Sequence, residues 1–105
     1  MSLDVMYELD GQQFTWDKEK GENNYKKHNV TFEEAATVIL DPDTELYNDL
    51  EHSNNEARFK SIGFSIKSRV LIVCHCEREH GEVVRIISAR KADNYERKVF
   101  MEGLS

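Results

Sequence analysis

At 105 residues, with a net charge of −6 and 39% hydrophobic and 32% charged residues, the chain has room for one core, so residues 1–105 are expected to form a single α+β domain. Five Phe, four Tyr and one Trp argue against a disordered chain. No apolar run approaches the roughly 20 residues of a membrane-spanning helix, and no basic segment followed by an apolar one marks a leader, so a cytoplasmic protein is expected.

Residues 3–9 alternate loosely and meet Asp10-Gly11, a strong turn dipeptide, before the strand pattern resumes at Gln13-Phe14-Thr15-Trp16. An N-terminal strand or hairpin is expected there. Asp17 suits a helix N-cap, and the helix over 18–28 is weakly specified because Gly21 is unfavourable inside it and only Tyr25 is large and apolar. The next helix is better marked. Thr31 and Glu34 have capping-box spacing, Phe32, Ala35, Ala36, Ile39 and Leu40 recur at helical intervals, and Asp41-Pro42 ends the run. This pair of helices has the outline of a helix-turn-helix, but its second member is acidic where a recognition helix is basic.

An acidic connection follows through Glu56, with a possible short strand at residues 46–49. Asp49, Glu51, His52 and Glu56 lack regular ligand spacing and read as a solvated acidic loop. Three strands then follow: Arg58–Ile62 closed by Gly63, Arg69–Cys76, and Glu82–Arg90, joined by short turns into an antiparallel meander. Asp93 and Glu96 form a second capping-box pair that opens a C-terminal helix. The expected architecture is an antiparallel sheet, made of this meander and the N-terminal strand or hairpin, with the two N-terminal helices and the C-terminal helix covering one of its faces. Strict alternation along the last strand puts Arg85 on one face and Ser88 with Arg90 on the other.

Cys74 and Cys76 lie one residue apart in a strand, too strained for a bridge between them. With His75 and His80 they lack the spacing and the second pair of a zinc site, so neither a metal nor another cofactor is expected. Charge is unevenly spread. Residues 1–57 hold four Lys against 14 Asp plus Glu, whereas residues 58–101 hold ten Lys plus Arg against five Asp plus Glu. The acidic half suits a basic partner or an internal pairing, and the basic half suits a polyanion. Arg58, Arg78, Arg85 and Arg90, with His75 and His80, fall on or beside the meander. Cations gathered on a sheet are suited to holding a phosphodiester and to stabilising the charge that develops when its phosphorus is attacked. RNA carries its own nucleophile, the 2′-hydroxyl, so a metal-free ribonuclease needs only an acid, a base and cations.

Several stretches together resemble one family. They are Phe14-Thr15-Trp16-Asp17 with Lys20, Asn24 and Lys27-His28; the run from Val30 to Ala35; Asp41-Pro42; Glu56-Ala57-Arg58-Phe59 with Ile62-Gly63; and Arg85-Ile86-Ile87-Ser88-Ala89-Arg90-Lys91-Ala92 with Glu96. In this order, over about residues 14 to 100, the chain resembles the BrnT toxins; residues 1–13 have no counterpart. The resemblance implies a RelE-like fold and a ribonuclease toxin of a type II toxin–antitoxin system. It implies a BrnA-like antitoxin partner with a ribbon-helix-helix DNA-binding region, RNA as substrate, and operator DNA reached only through the antitoxin. Arg58 matches the arginine of the family's Glu-x-Arg-Phe strand, Arg78 a frequent arginine after the second meander strand, and Arg85, Ser88 and Arg90 the Arg-Ile-Ile-Ser-Ala-Arg motif. Cys76 stands where a threonine is usual, and His28 closes the family's Lys-His pair.

The expectation is therefore an endoribonuclease. Arg58 and Arg78 would stabilise the transition state, His75 would move the proton, and Arg85, Ser88 and Arg90 would bind RNA. The alternatives are a catalytically inactive family member serving as a protein-binding co-repressor subunit, and a DNA-binding module.

Overall fold

The computed structural model describes residues 3–52 and 56–104. Strands β1 (Asp4–Leu9) and β2 (Gln12–Asp17) form the expected N-terminal hairpin. Asp10 and Gly11 both take positive φ, 51° and 83°, as a two-residue type I′ turn requires. Helix α1 (Lys18–His28) starts at Asp17, whose carboxylate accepts from the Lys20 amide at 2.9 Å, and stops at Asn29 in the left-handed region. Gly21 is tolerated in it for a packing reason. A Cβ there would stand 3.1 Å from two indole atoms of Trp16, so glycine lets the helix lie directly on that ring.

Helix α2 (Phe32–Ile39) is capped by Thr31, whose hydroxyl accepts from the Glu34 amide at 3.1 Å. The capping box is only half made. The buried Glu34 carboxylate accepts instead from Ser65 at 2.6 Å and from Arg69 through Nε at 3.0 Å and through Nη2, because a carboxylate at 4% exposure needs a cation more than a backbone amide. Burial pushes its carboxyl up, but the Arg69 and Ser65 hydrogen bonds and the Arg69 charge bring it below its ordinary value.

The remaining elements are β3 (Glu45–Asn48), β4 (Arg58–Phe64), β5 (Val70–Arg78), β6 (Val83–Lys91) and α3 (Asn94–Gly103). Strand β4 runs through Gly63, and the capping box of α3 is complete, with Asp93 accepting from the Glu96 amide and Glu96 from the Asp93 amide. The six strands form one sheet in the order β1-β2-β6-β5-β4-β3. The sheet is mixed rather than antiparallel. The hairpin joins the meander through β2 and β6, which run parallel with Phe14 opposite Val84, and the crossover such a pair needs is supplied by the long connection that includes α1 and α2.

Helices α1 and α2 cover one face. Phe14, Trp16, Leu71, Val73, Val84, Ile86 and Ala89 from the sheet meet Val30, Phe32, Ala35, Ala36 and Val38 from the helical layer, with Trp16 and Phe32 edge to face at 5.8 Å. Helix α3 does not join them. It docks on the opposite face, where Phe100 packs edge to face on Phe64 at 5.5 Å, because Phe64, Val70 and Ile72 alternate away from the main core and need cover of their own.

Two local features position the site. Where β2 ends, Asn24 of α1 takes its place beside β6: its Nδ2 donates to the carbonyls of Ala89 (2.8 Å) and Val30 (2.9 Å), and the Ala89 amide donates to its Oδ1 (3.1 Å). A bulge interrupts β6, since Cys74 faces Ser88 and His75 faces Ile86, leaving Ile87 with no opposite residue.

Candidate nucleic-acid interface

The bulge overturns the alternation expected for β6. Beyond Ile87 the faces swap, so Arg85, Ser88 and Arg90 all lie on the face that α3 partly covers. Strands β4 and β5 add to it in cross-strand rows. One row reads Arg58, Cys76, Arg85; the next reads Lys60, Cys74, Ser88; the third reads Ile62, Ile72, Arg90. Successive rows are about 7 Å apart along the strands, and neighbouring strands about 4.8 Å apart across the sheet. Arg78, opposite Val83, extends the same face beyond the first row.

Five of the six expected site residues thus share one surface. Three of its arginines hold carboxylates: Arg78 pairs with Glu56, Arg85 with Asp4 at 3.1 Å, and Arg90 with Glu96 through two hydrogen bonds of 2.8 and 2.9 Å. The Arg90 guanidinium, together with the Asp93 cap, holds the Glu96 carboxyl down at about 2, so this pair ties β6 to α3. Cys76 is fully buried between Arg58 and Arg85. Burial pushes its thiol up and outweighs the two guanidinium charges that favour the thiolate, leaving it an uncharged spacer.

His75 lies elsewhere. It faces the main core beside Ile86, is 4% exposed, stacks on Phe59 at 5.9 Å and shares a 2.8 Å hydrogen bond with Ser61 through Nε2. Burial pushes its imidazole down to about 4, so it is neutral at physiological pH. Its neighbours are structural, and it does not reach the cationic face.

Two residues outside the six expected for the site belong with that face. A cavity of about 90 Å3 opens beside the second and third rows, lined by His28, Lys60, Cys74, Ser88 and Arg90 together with Ile72 and Ala89. Lys60 could have been found by period-2 alternation from Arg58. His28, marked in the sequence as the end of the Lys-His pair, comes from the last turn of α1, held there by the Asn24 bonds one turn earlier, and the tertiary arrangement puts it beside this face. A larger groove of about 430 Å3 lies across the molecule, between α1, α2 and the hairpin, walled by Val5, Trp16, Tyr25 and Phe32. Among the described residues no group of three or more His, Cys, Asp or Glu side chains is placed to hold a metal ion, and Cys74 and Cys76 are free. Of the acidic-loop set, the His52 side chain lies outside the described residues. Among the described residues no helix is long and apolar enough to cross a membrane.

Comparison with known structures matches this chain to the 1.1 Å crystal structure of the Brucella abortus ribonuclease toxin BrnT. The TM-score is 0.57 and the identity 20%, over 75% of this chain and 94% of that one. At that identity the likeness speaks for the fold. A comparison with curated proteins finds no match. The family model described as the ribonuclease toxin BrnT of type II toxin–antitoxin systems matches residues 16–96, which contain α1, α2, the whole meander and the start of α3. The chain therefore belongs to the BrnT family of type II toxin–antitoxin ribonuclease toxins.

Proposed function

We propose that this chain is the toxin of its pair: a metal-independent endoribonuclease with a RelE-like fold, acting on RNA in the cytoplasm, arresting growth, and neutralised by a BrnA-like antitoxin. That antitoxin would carry the ribbon-helix-helix region through which the complex reaches operator DNA. One observation carries the reading. The rows Arg58–Cys76–Arg85 and Lys60–Cys74–Ser88 gather cations and a hydroxyl donor on a single face of the sheet, although the chain as a whole is acidic. Such a face draws a polyanion locally where the net charge would not.

In the proposed reaction the 2′-oxygen attacks the adjacent phosphorus as its proton leaves to a base. The bond to the 5′-oxygen breaks, that oxygen takes a proton from an acid, and the products are a 2′,3′-cyclic phosphate and a free 5′-hydroxyl. Arg58, one row from Lys60, stabilises the charge that builds on the phosphoryl oxygens, and Arg78, once Glu56 gives way, holds a neighbouring phosphate. Arg85, Ser88 and Arg90 hold the backbone in register. His75, neutral and buried on the other face, is left to support β4 through Ser61 rather than to move protons.

The test is induction of the chain in a bacterium beside Arg58→Ala and Arg85→Ala, following growth and total RNA. Growth arrest with RNA cleavage, lost in both variants at equal soluble protein, is the expected result. The carboxylates already held by Arg78, Arg85 and Arg90 favour a second reading, an inactive member that serves as a co-repressor subunit. Normal growth and intact RNA at good expression, with a basic partner still bound, would decide for it.

A further inference from the structure

We propose that the small cavity on the cationic face, beside the last turn of α1, is the subsite for the phosphate that is cleaved, with Lys60 its anion ligand and His28 the residue that exchanges a proton with the reacting sugar or leaving oxygen. The inference deepens the ribonuclease reading and rests on it.

The cavity's size sets the ligand. At about 90 Å3 it falls well below the roughly 300–1,000 Å3 of pockets that enclose a whole small molecule. It suits one phosphoryl group, with base and sugar left outside. Its lining sets the charge. Lys60 and Arg90 flank it from β4 and β6, and Ser88 adds a hydroxyl donor between them. Arg90 is fixed by its two bonds to Glu96, whereas no carboxylate among the described residues pairs with Lys60. A fixed guanidinium beside an ammonium with no carboxylate of its own is a pair in which the ammonium can take a new anion.

The proton carrier follows from position. Of the three histidine side chains among the described residues, His75 is sealed on the opposite face by Ser61, Phe59 and Ile86, and His80 stands exposed in the turn between β5 and β6. Among these, His28 lines the cavity. Residues four apart share a helix face, so the bonds that lock Asn24 to Ala89 of β6 also lock His28 beside the Ser88–Arg90 segment. The competing account makes His28 a cation that complements the carbonyl end of α1. That role has no use for Lys60, for Ser88 or for a cavity.

The test begins with NMR of the full chain titrated with inorganic phosphate, and separately with a short single-stranded RNA whose 2′-hydroxyls are methylated so that it binds uncleaved. Both probes should perturb the His28 ring together with the Ser88 amide, saturably, and Lys60→Ala should weaken each by about tenfold or more, as expected for one lost charge-assisted bond. No saturable change at His28 with either probe, or the same affinity in Lys60→Ala, overturns the subsite. A response to phosphate but none to the RNA marks a site for the free anion and overturns the catalytic part.

Cleavage of an unmodified oligonucleotide separates the roles. His28→Gln should lower kcat by roughly 10²–10⁴-fold with KM nearly unchanged, while Lys60→Ala should act mainly on KM. Lys60 is half-buried at the cavity and outside the main core, so this second variant keeps the test valid if His28→Gln folds poorly. Wild-type rates in His28→Gln beside a dead Arg58→Ala would refute His28 and leave the ribonuclease standing. A wild-type chain that cleaves nothing would instead remove the ribonuclease reading and the proton role with it, and the binding titrations would still decide the phosphate subsite.

Discussion

Replacing Asn24 with alanine removes the side chain that stands in for a missing strand. Its three hydrogen bonds serve the Ala89 amide and carbonyl and the Val30 carbonyl. Ala89 is 1% exposed and Val30 fully buried, so water has little access to the groups left behind. An orphaned buried donor or acceptor costs about 1–3 kcal/mol; with one amide and two carbonyls affected, and carbonyls the more tolerant, the loss should be about 3–5 kcal/mol. Against a total stability of about 5–15 kcal/mol that is severe. At roughly 4–8 °C per kcal/mol for a domain near this size, Tm should fall by about 12 °C or more. Thermal unfolding followed by circular dichroism, with urea titration to check that the m-value is unchanged, measures it. Asn24→Asp keeps the acceptor for Ala89 but turns a carboxylate towards two carbonyl oxygens, so at neutral pH it should be no better than alanine. A loss below about 1 kcal/mol in both variants would refute the reasoning. It would mean that α1 is not anchored to β6 through this residue, and the fixed position of His28 would lose its support.

Other perturbations probe the ion pairs and the buried imidazole. Glu34→Ala leaves Arg69 with only the Asn29 carbonyl, at 3.0 Å, from its present set of acceptors, and should cost about 3 kcal/mol in urea unfolding, since one partner of a largely buried pair is left behind. The Glu96 carboxyl, held at about 2 against an ordinary 4.5, contributes stability that is complete above about pH 4.5 and is lost as pH falls towards 2. Glu96→Gln should therefore be less stable at pH 7 by about 1 kcal/mol, a figure kept low by the exposure of Arg90, and should show a flatter stability profile below pH 4.5. His75, pushed down to about 4 from 6.5 by burial, acts in the same direction, but because the fold disfavours its charged form rather than favouring it: the unfolded chain again takes up the proton first, so stability falls as pH drops from 6.5 towards 4, by on the order of 3 kcal/mol in total. An NMR titration should find its ring neutral at pH 5; protonation there with the fold intact would show that it is not sealed.

Where a local rule decided the backbone, the sequence was readable. Asp10-Gly11 needs positive φ at both turn positions and gets it, Asp93 and Glu96 make their reciprocal cap, and Asp17 opens a helix despite Gly21. The misses come from contacts distant in sequence. Nothing near β2 announces that it will lie parallel to β6 about 70 residues later, because the register Phe14 to Val84 is set by how α1 and α2 fill the space between them. Glu34 carries the capping-box spacing, but Arg69, 35 residues away, takes its carboxylate. For His75 a signal was present and outweighed by its chemistry. It alternates with Leu71 and Val73, which predicts the core side of β5, and the structure puts it there.

The candidate site turns on one residue that period-2 reading has no means to notice. If β6 were regular, Arg85 would share a face with Val83 and Ile87, and Ser88 and Arg90 would lie on the other with Val84 and Ile86. Each face would carry a cation, and one of them would have to be buried against α1 and α2. The extra residue at Ile87 resolves the conflict by swapping the faces within the strand, so that Val84, Ile86 and Ala89 all enter the core while Arg85, Ser88 and Arg90 all leave it. A bulge is usually tolerated as a local loss of pairing; here it lets one strand satisfy an apolar layer and a cationic surface together. The motif from Arg85 to Arg90 therefore combines two constraints, the spacing of its charges and the position of its bulge. A substitution that kept every arginine but regularised the strand would scatter the cationic face as surely as removing one of them.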